Sequence, residues 1–130
     1  MRYAVVYVAA LATMVVLDFT WLGLIAAPLY RDALGPLMAD PVNLPAAVVF
    51  YLVYALGLVV FAVRPADSGG VARALGRGAL FGFFAYATYD LTDLATLKGY
   101  PLSIALVDMA WGTVISAAAA TVARGTLRRQ

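Results

Sequence analysis

The chain has 130 residues, 65% of them hydrophobic and 12% charged, with a formal net charge of +2; an ordinary soluble domain is about a quarter charged. A compact domain of this size buries only about two-thirds of the surface its unfolded chain exposes, so this many apolar side chains would leave broad apolar patches in water, and lipid is their natural solvent. With no His, Cys or Glu, thiolate and imidazole catalysis and His- or Cys-ligated haem, zinc and iron–sulfur sites are excluded. No cofactor and no metal site is expected, and nine basic residues without a single run give no nucleic-acid footprint.

Six prolines, Pro28, Pro36, Pro41, Pro45, Pro65 and Pro101, mark the boundaries of uninterrupted apolar stretches. Proline breaks the helical hydrogen-bond ladder. The stretches left between them predict four transmembrane helices at about 5–27, 46–63, 75–97 and 102–123, each close to the ~20 residues that cross a hydrocarbon core about 30 Å thick. The expected fold is all-α, a polytopic four-helix bundle forming one transmembrane domain over residues 1–130. The alternating ~10-residue strands of a β-barrel are absent from the pattern. Met1-Arg2 and the apolar run after it resemble a signal peptide, but the run continues past any plausible cleavage site with no soluble domain behind it, so the first segment is expected to stay as a membrane helix.

Basic residues set the expected orientation. Arg2, Arg64, Arg73, Arg77, Arg124, Arg128 and Arg129 fall on one side and only Arg31 and Lys98 on the other, which predicts both termini in the cytoplasm. Of the connections, Arg64 to Arg73, with Pro65, Asp67, Ser68, Gly69 and Gly70, reads as a short polar turn. Leu29 to Leu44 is longer and less polar, and two readings stand for it: one or two turns of interfacial helix, or a plain loop.

Three carboxylates, Asp18, Asp90 and Asp108, lie inside predicted spans, with Asp93 one turn nearer the outer surface. At ~1.5 Å per residue, Asp18 and Asp90 come about 20 and 22 Å from the inner face, Asp108 about 9 Å below the outer face, and Tyr51 and Tyr54 about 8 to 12 Å below it. All four helices thus bring polar groups to one layer in the outer half of the bilayer. An Asp deep in a span costs about 2.5–3.5 kcal/mol to insert, whereas an interhelical hydrogen bond returns about 0.6 kcal/mol. Three readings follow: protonated carboxyls bonded to Tyr51, Tyr54, Tyr86 and Tyr89 that fix helix register, a ligand or proton site, or water-facing positions under the outer loop. Gly82, Tyr86, Asp90 and Asp93 form one stripe on the third helix, as do Asp108, Trp111, Gly112 and Ser116 on the fourth, while Asp18 pairs with Trp21 on the first. Gly78, Gly82, Gly112, Ser116, Ala119 and Ala120 permit close helix approach. Trp21 reads first as an interfacial anchor and Trp111 as core packing ahead of a pocket wall. Tyr3, Tyr7, Tyr30 and Tyr100 suit the aromatic belts.

The run Tyr89-Asp90-Leu91-Thr92-Asp93-Leu94-Ala95-Thr96, then Lys98-Gly99-Tyr100-Pro101, resembles the signature of a family of small bacterial membrane proteins known only as a domain of unknown function. Asp18-x-x-Trp21-Leu22-Gly23, Phe50-Tyr51-x-x-Tyr54 and Asp108-x-x-Trp111-Gly112 look like its other marks, and the family pattern carries Asn at the position of Asp93. The resemblance covers nearly the whole chain and implies a multi-pass, four-helix protein of the bacterial inner membrane, with no activity attached.

The candidate ligand- or proton-binding residues are therefore Asp18, Trp21, Tyr51, Tyr54, Tyr86, Tyr89, Asp90, Asp93, Asp108 and Trp111. Proton-coupled transport or binding of a small molecule or ion is taken first, because neighbouring carboxyls titrate as a coupled set and attract cations; a homo-oligomer would accompany transport, since one four-helix bundle is narrow. A structural or accessory subunit comes next, and an intramembrane enzyme acting on a lipid or apolar substrate last, because Asp90-x-x-Asp93 lacks a partner motif. Membrane lipid is the one partner expected under every reading.

Overall fold

The computed structural model describes residues 2–35, 43–64 and 70–128. Its elements are α1 (Arg2–Thr20), continued by a π-helical turn Trp21–Ile25; α2 (Ala27–Leu34); α3 (Leu44–Leu58), continued by a π-helical turn Val59–Val63; α4 (Gly70–Thr96); and α5 (Leu102–Arg128). In lipid every backbone N–H and C=O must be satisfied within the chain, so apolar runs of this length become helices. The same demand sends helical threonines back onto their own backbone: Thr13, Thr20, Thr88, Thr92, Thr96, Thr113 and Thr121 each donate to the carbonyl four residues earlier.

Local chemistry sets the helix limits. Asn43 caps α3 by accepting from the Ala46 amide at 3.1 Å, with Pro45 in the first turn, where no amide is needed. Between α4 and α5 the chain reverses through Gly99, whose φ of +75° suits a residue without Cβ. Three helical stretches, Arg2–Ile25, Leu44–Val63 and Leu102–Leu127, are long and apolar enough to cross a membrane. The expected third span is a helix too, over 27 residues, but it carries Arg73 and Arg77 near one end and Asp90 and Asp93 near the other, and its composition does not mark it as a span by itself.

Residues 26–35 differ from a plain loop. After the π-helical turn the chain breaks at Ala26 and re-forms as the two-turn α2, with Pro28 in its first turn. The rest of that connection, with Pro36, Leu37, Met38, Asp40 and Pro41, lies outside the described residues, as do Pro65, Asp67, Ser68 and Gly69 of the polar turn and Arg129.

α5 packs along both α4 and α1. The α4–α5 contact is closest at glycine: a Cβ on Gly78 would sit 2.6 Å from that of Ala120, one on Gly82 would run into the Gly112 carbonyl and the Ser116 side chain, and one on Gly112 into the Tyr86 ring. These pairs make the two helices antiparallel, with small residues letting the backbones touch. α3 runs antiparallel to α1, from Tyr51 beside Asp18 to Arg64 over the ring of Tyr3 at 5.7 Å. A core of Val6, Ala10, Met14, Leu58, Ile115 and Ala119 fills the centre. Large apolar side chains such as Phe19, Leu24, Phe61 and Phe84 point outward, where lipid rather than water suits them.

α3 meets α4 mainly through its last turn, Val59–Val63. Towards the α2 end the gap between them is bridged by rings, Tyr54 to Phe81 at 5.2 Å and Tyr54 to Tyr86 at 6.0 Å between centroids. Two hollows open in that gap, and the polar groups gather around one of them.

Candidate functional site: a carboxylate and phenol cavity

Asp18, on the last turn of α1 and 5% exposed, joins three helices. Its Oδ2 accepts from the Tyr51 hydroxyl of α3 at 2.5 Å and its Oδ1 from Trp111 Nε1 of α5 at 2.8 Å. Each oxygen thus meets one donor, from two different helices. Trp111 also stacks on Trp21, at 4.8 Å between centroids and 13° between planes. Trp21 is therefore a partner of Trp111 rather than a lone interfacial side chain, and its buried Nε1 has the Tyr30 hydroxyl as polar neighbour.

Asp90 and Asp108 form a second group. Asp90, fully buried on α4, accepts at Oδ1 from the Tyr100 hydroxyl at 2.9 Å, while its Oδ2 is buried without a donor. The Asp108 carboxyl of α5 lies within hydrogen-bonding reach of Asp90 and accepts at Oδ1 from Tyr30 at 3.0 Å. One proton held between two such carboxyls lets one donate to the other. Tyr30 and Tyr100 stand outside the spans. Burial, followed by the hydrogen bond to and charge of Asp90, pushes the Tyr100 phenol well above the ordinary value. For Tyr30, burial, joined by Asp108, outweighs the opposing contact with Trp21 and moves it the same way. Both phenols stay protonated at neutral pH and remain donors.

A cavity of about 670 Å³ lies between α1, α3, α4 and α5 and is lined by Asp18, Tyr51, Tyr54, Tyr86, Tyr89 and Asp108, with Leu22, Ala46, Ala47, Phe50 and Ala85. This volume is in the range of small-molecule sites. Among the described residues its wall holds two carboxyls and four phenols and no basic residue. Tyr54 pairs with Ser116 at 2.6 Å. Tyr86, with its ring against Gly112, makes no side-chain hydrogen bond among the described residues and lies in the field of Asp18, Asp108, Tyr51 and Tyr54.

Of the ten residues singled out from sequence, the cavity brings together Asp18, Tyr51, Tyr54, Tyr86, Tyr89 and Asp108. Trp111 and Trp21 stand behind Asp18, and Asp90 behind Asp108, off the wall. Asp93 is half-buried beside the exposed Tyr89 and takes no place on the wall. Sequence reasoning missed Tyr30 and Tyr100, assigned to the aromatic belts; both turn inward to carboxylates. A tyrosine near a helix end reads the same from sequence whether its hydroxyl meets headgroups or a buried acid. Ser116 was placed on the right stripe, but only its 2.6 Å contact with Tyr54 shows it to be part of the polar layer.

Apolar helices enclosing a carboxylate and phenol cavity define a helical membrane protein with an acidic, hydrogen-bonding interior. The chain belongs to the family described as Predicted membrane protein (DUF2177), whose family model matches residues 3–124. No curated protein and no solved structure matches it.

Proposed function

We propose that this chain binds a small cationic ligand in exchange for a proton within the bacterial inner membrane, as the binding step of proton-coupled transport. In this reading the chain is one domain whose helices α1, α3, α4 and α5 all cross the bilayer, with both termini cytoplasmic. The antiparallel α4–α5 contact supports a crossing α4, since a helix packed along a span shares its depth. At the proposed cytoplasmic end Arg2 and Arg64 lie over the Tyr3 ring at 5.9 and 5.7 Å, and Arg77 donates to the Phe61 carbonyl at 3.0 Å, as expected of basic side chains reaching for an interface.

The observation that carries the proposal is a wall that holds, among the described residues, two carboxyls, four phenols and no cation, backed by the buried Asp90, whose Oδ2 meets no donor. In this reading Asp90 and Asp108 hold one proton between them. An ammonium group entering beside Asp108 replaces that proton: the shared hydrogen leaves, both carboxylates ionise, and the ligand's charge balances the one newly exposed. Tyr86 accepts from the ammonium through its unpaired oxygen.

The test uses ethylammonium as probe with the protein in phosphatidylcholine nanodiscs. Calorimetry in buffers of different ionisation heat is expected to show saturable binding with about one proton released, because one proton is shared by the pair. Asp90→Asn removes the release, and Tyr86→Phe weakens binding by about three- to tenfold, the loss of one hydrogen bond. Absence of saturable binding, or binding indifferent to Asp90→Asn and Asp108→Asn, overturns the proposal; equal ethylammonium uptake by proteoliposomes of wild type and Asp90→Asn removes transport from it.

A second reading, a structural or accessory subunit, draws on Asp18, whose two oxygens are already met by Tyr51 and Trp111. It expects Asp18→Asn to lower thermal stability with no separable loss of binding.

A further inference from the structure

Beside the polar cavity lies a larger hollow of about 900 Å³ along α3 and α4. The two share Ala46, Phe50, Tyr54 and Ala85 in their walls, so they adjoin along these residues and differ in chemistry. Beyond Tyr54 the groove is apolar, following Val53, Gly57 and Phe61 on α3 and Phe81 on α4. Among the described residues no charged side chain lines it. From Phe50 to Phe61 it follows α3 for about 16 Å at 1.5 Å per residue, close to half of a hydrocarbon core about 30 Å thick. The groove exists because α3 touches α4 closely only at its last turn and stands off from it elsewhere.

We infer that the ligand is a single-chain aliphatic amine, with its ammonium head in the cavity between Asp18, Asp108 and Tyr86 and its chain in the groove between α3 and α4. The inference rests on the cavity being the cation site proposed above. Charge selects the head: with two carboxyls and no basic residue on the wall among the described residues, phosphate, sulfate or carboxylate heads meet repulsion and find no counter-ion. Adjacency selects the chain: only side chains common to both walls, Phe50 and Tyr54 among them, lie between the cavity and the groove, and no helix does. The chain reaches the site sideways from the bilayer, between α3 and α4.

The experiment locates the chain. Dodecylamine carrying a diazirine at the chain end is photolysed with the full chain in phosphatidylcholine nanodiscs, and the modified residues are mapped by mass spectrometry. Labelling is expected on Val53, Gly57, Phe61 and Phe81, competed by dodecylamine but not by dodecanol or dodecanoate, and reduced at least fivefold in Asp108→Asn or, should that variant fold poorly, about threefold or more in Tyr86→Phe. Val53→Trp, an exposed groove position off the cavity wall, removes groove labelling while ethylammonium still binds. Labelling spread evenly over the outward faces of α1 and α5, or equal labelling by a dodecanoate diazirine, overturns the inference. Ethylammonium binding that survives such a result leaves the cation site standing; loss of both removes both.

Discussion

At Asp18 a single carboxyl gathers an indole and a phenol from two other helices. In a low-dielectric interior a buried polar atom stripped of its partner costs about 1–3 kcal/mol. Tyr51→Phe and Trp111→Phe are each expected to lower unfolding free energy by that amount, measured by chemical denaturation in mixed micelles with circular dichroism. Because both donors serve one acceptor, the double variant should depart from additivity by at least about 0.5 kcal/mol. Strict additivity would show that the two bonds do not act through a common Asp18. The polar residues involved stand out in the sequence because a charge in an apolar run is conspicuous; their partners do not, since a hydroxyl some six ångströms along a tyrosine side chain reaches any of several helices.

At the scale of elements, the α4–α5 pair depends on what is missing from Gly82. A methyl there meets the Gly112 carbonyl and the Ser116 side chain, and backbone cannot rotate away. Gly82→Ala is expected to destabilise by about 1–3 kcal/mol, as overpacking does. Gly76→Ala, on the same helix with nothing within 4 Å of the new atom, should instead be neutral or stabilising by up to about 1 kcal/mol. Thermal melts of the two variants beside wild type decide the matter, and equal melting temperatures would refute the packing. The small-residue spacing of these helices was visible in the sequence. Its counterpart was not: α2 folds over the end of α5, burying Ala26 and Tyr30 against Ile104, and nothing in the run after Pro28 says which helix it covers.

For the whole molecule, topology is the open quantity that a simple measurement reads. The chain has no cysteine, so one introduced thiol reports one position. Ala72 and Ser103 are exposed near opposite ends of the bundle, at the start of α4 and the start of α5. With the termini cytoplasmic, Ser103→Cys reacts with a membrane-impermeant maleimide in intact spheroplasts, and Ala72→Cys reacts only after lysis. The opposite pattern would invert the protein, and reaction of both in intact spheroplasts would remove α4 as a crossing helix.

A 65% hydrophobic composition with 12% charge is enough to specify a lipid environment and helices, since lipid leaves the backbone few other ways to satisfy itself. The same string shows which helices carry carboxylates and how far along each helix they stand, because that distance follows from counting residues along a helix of known rise. Folding in three dimensions settled the pairing: Asp18 with Tyr51 and Trp111, Asp90 with Tyr100 and Asp108, Asp108 with Tyr30. Those choices depend on which helix faces are neighbours and on how far long side chains reach. The gap between α3 and α4, and with it the cavity and its groove, also depends on tertiary packing: rings keep the two helices apart towards the α2 end, while small residues let α4 close on α5.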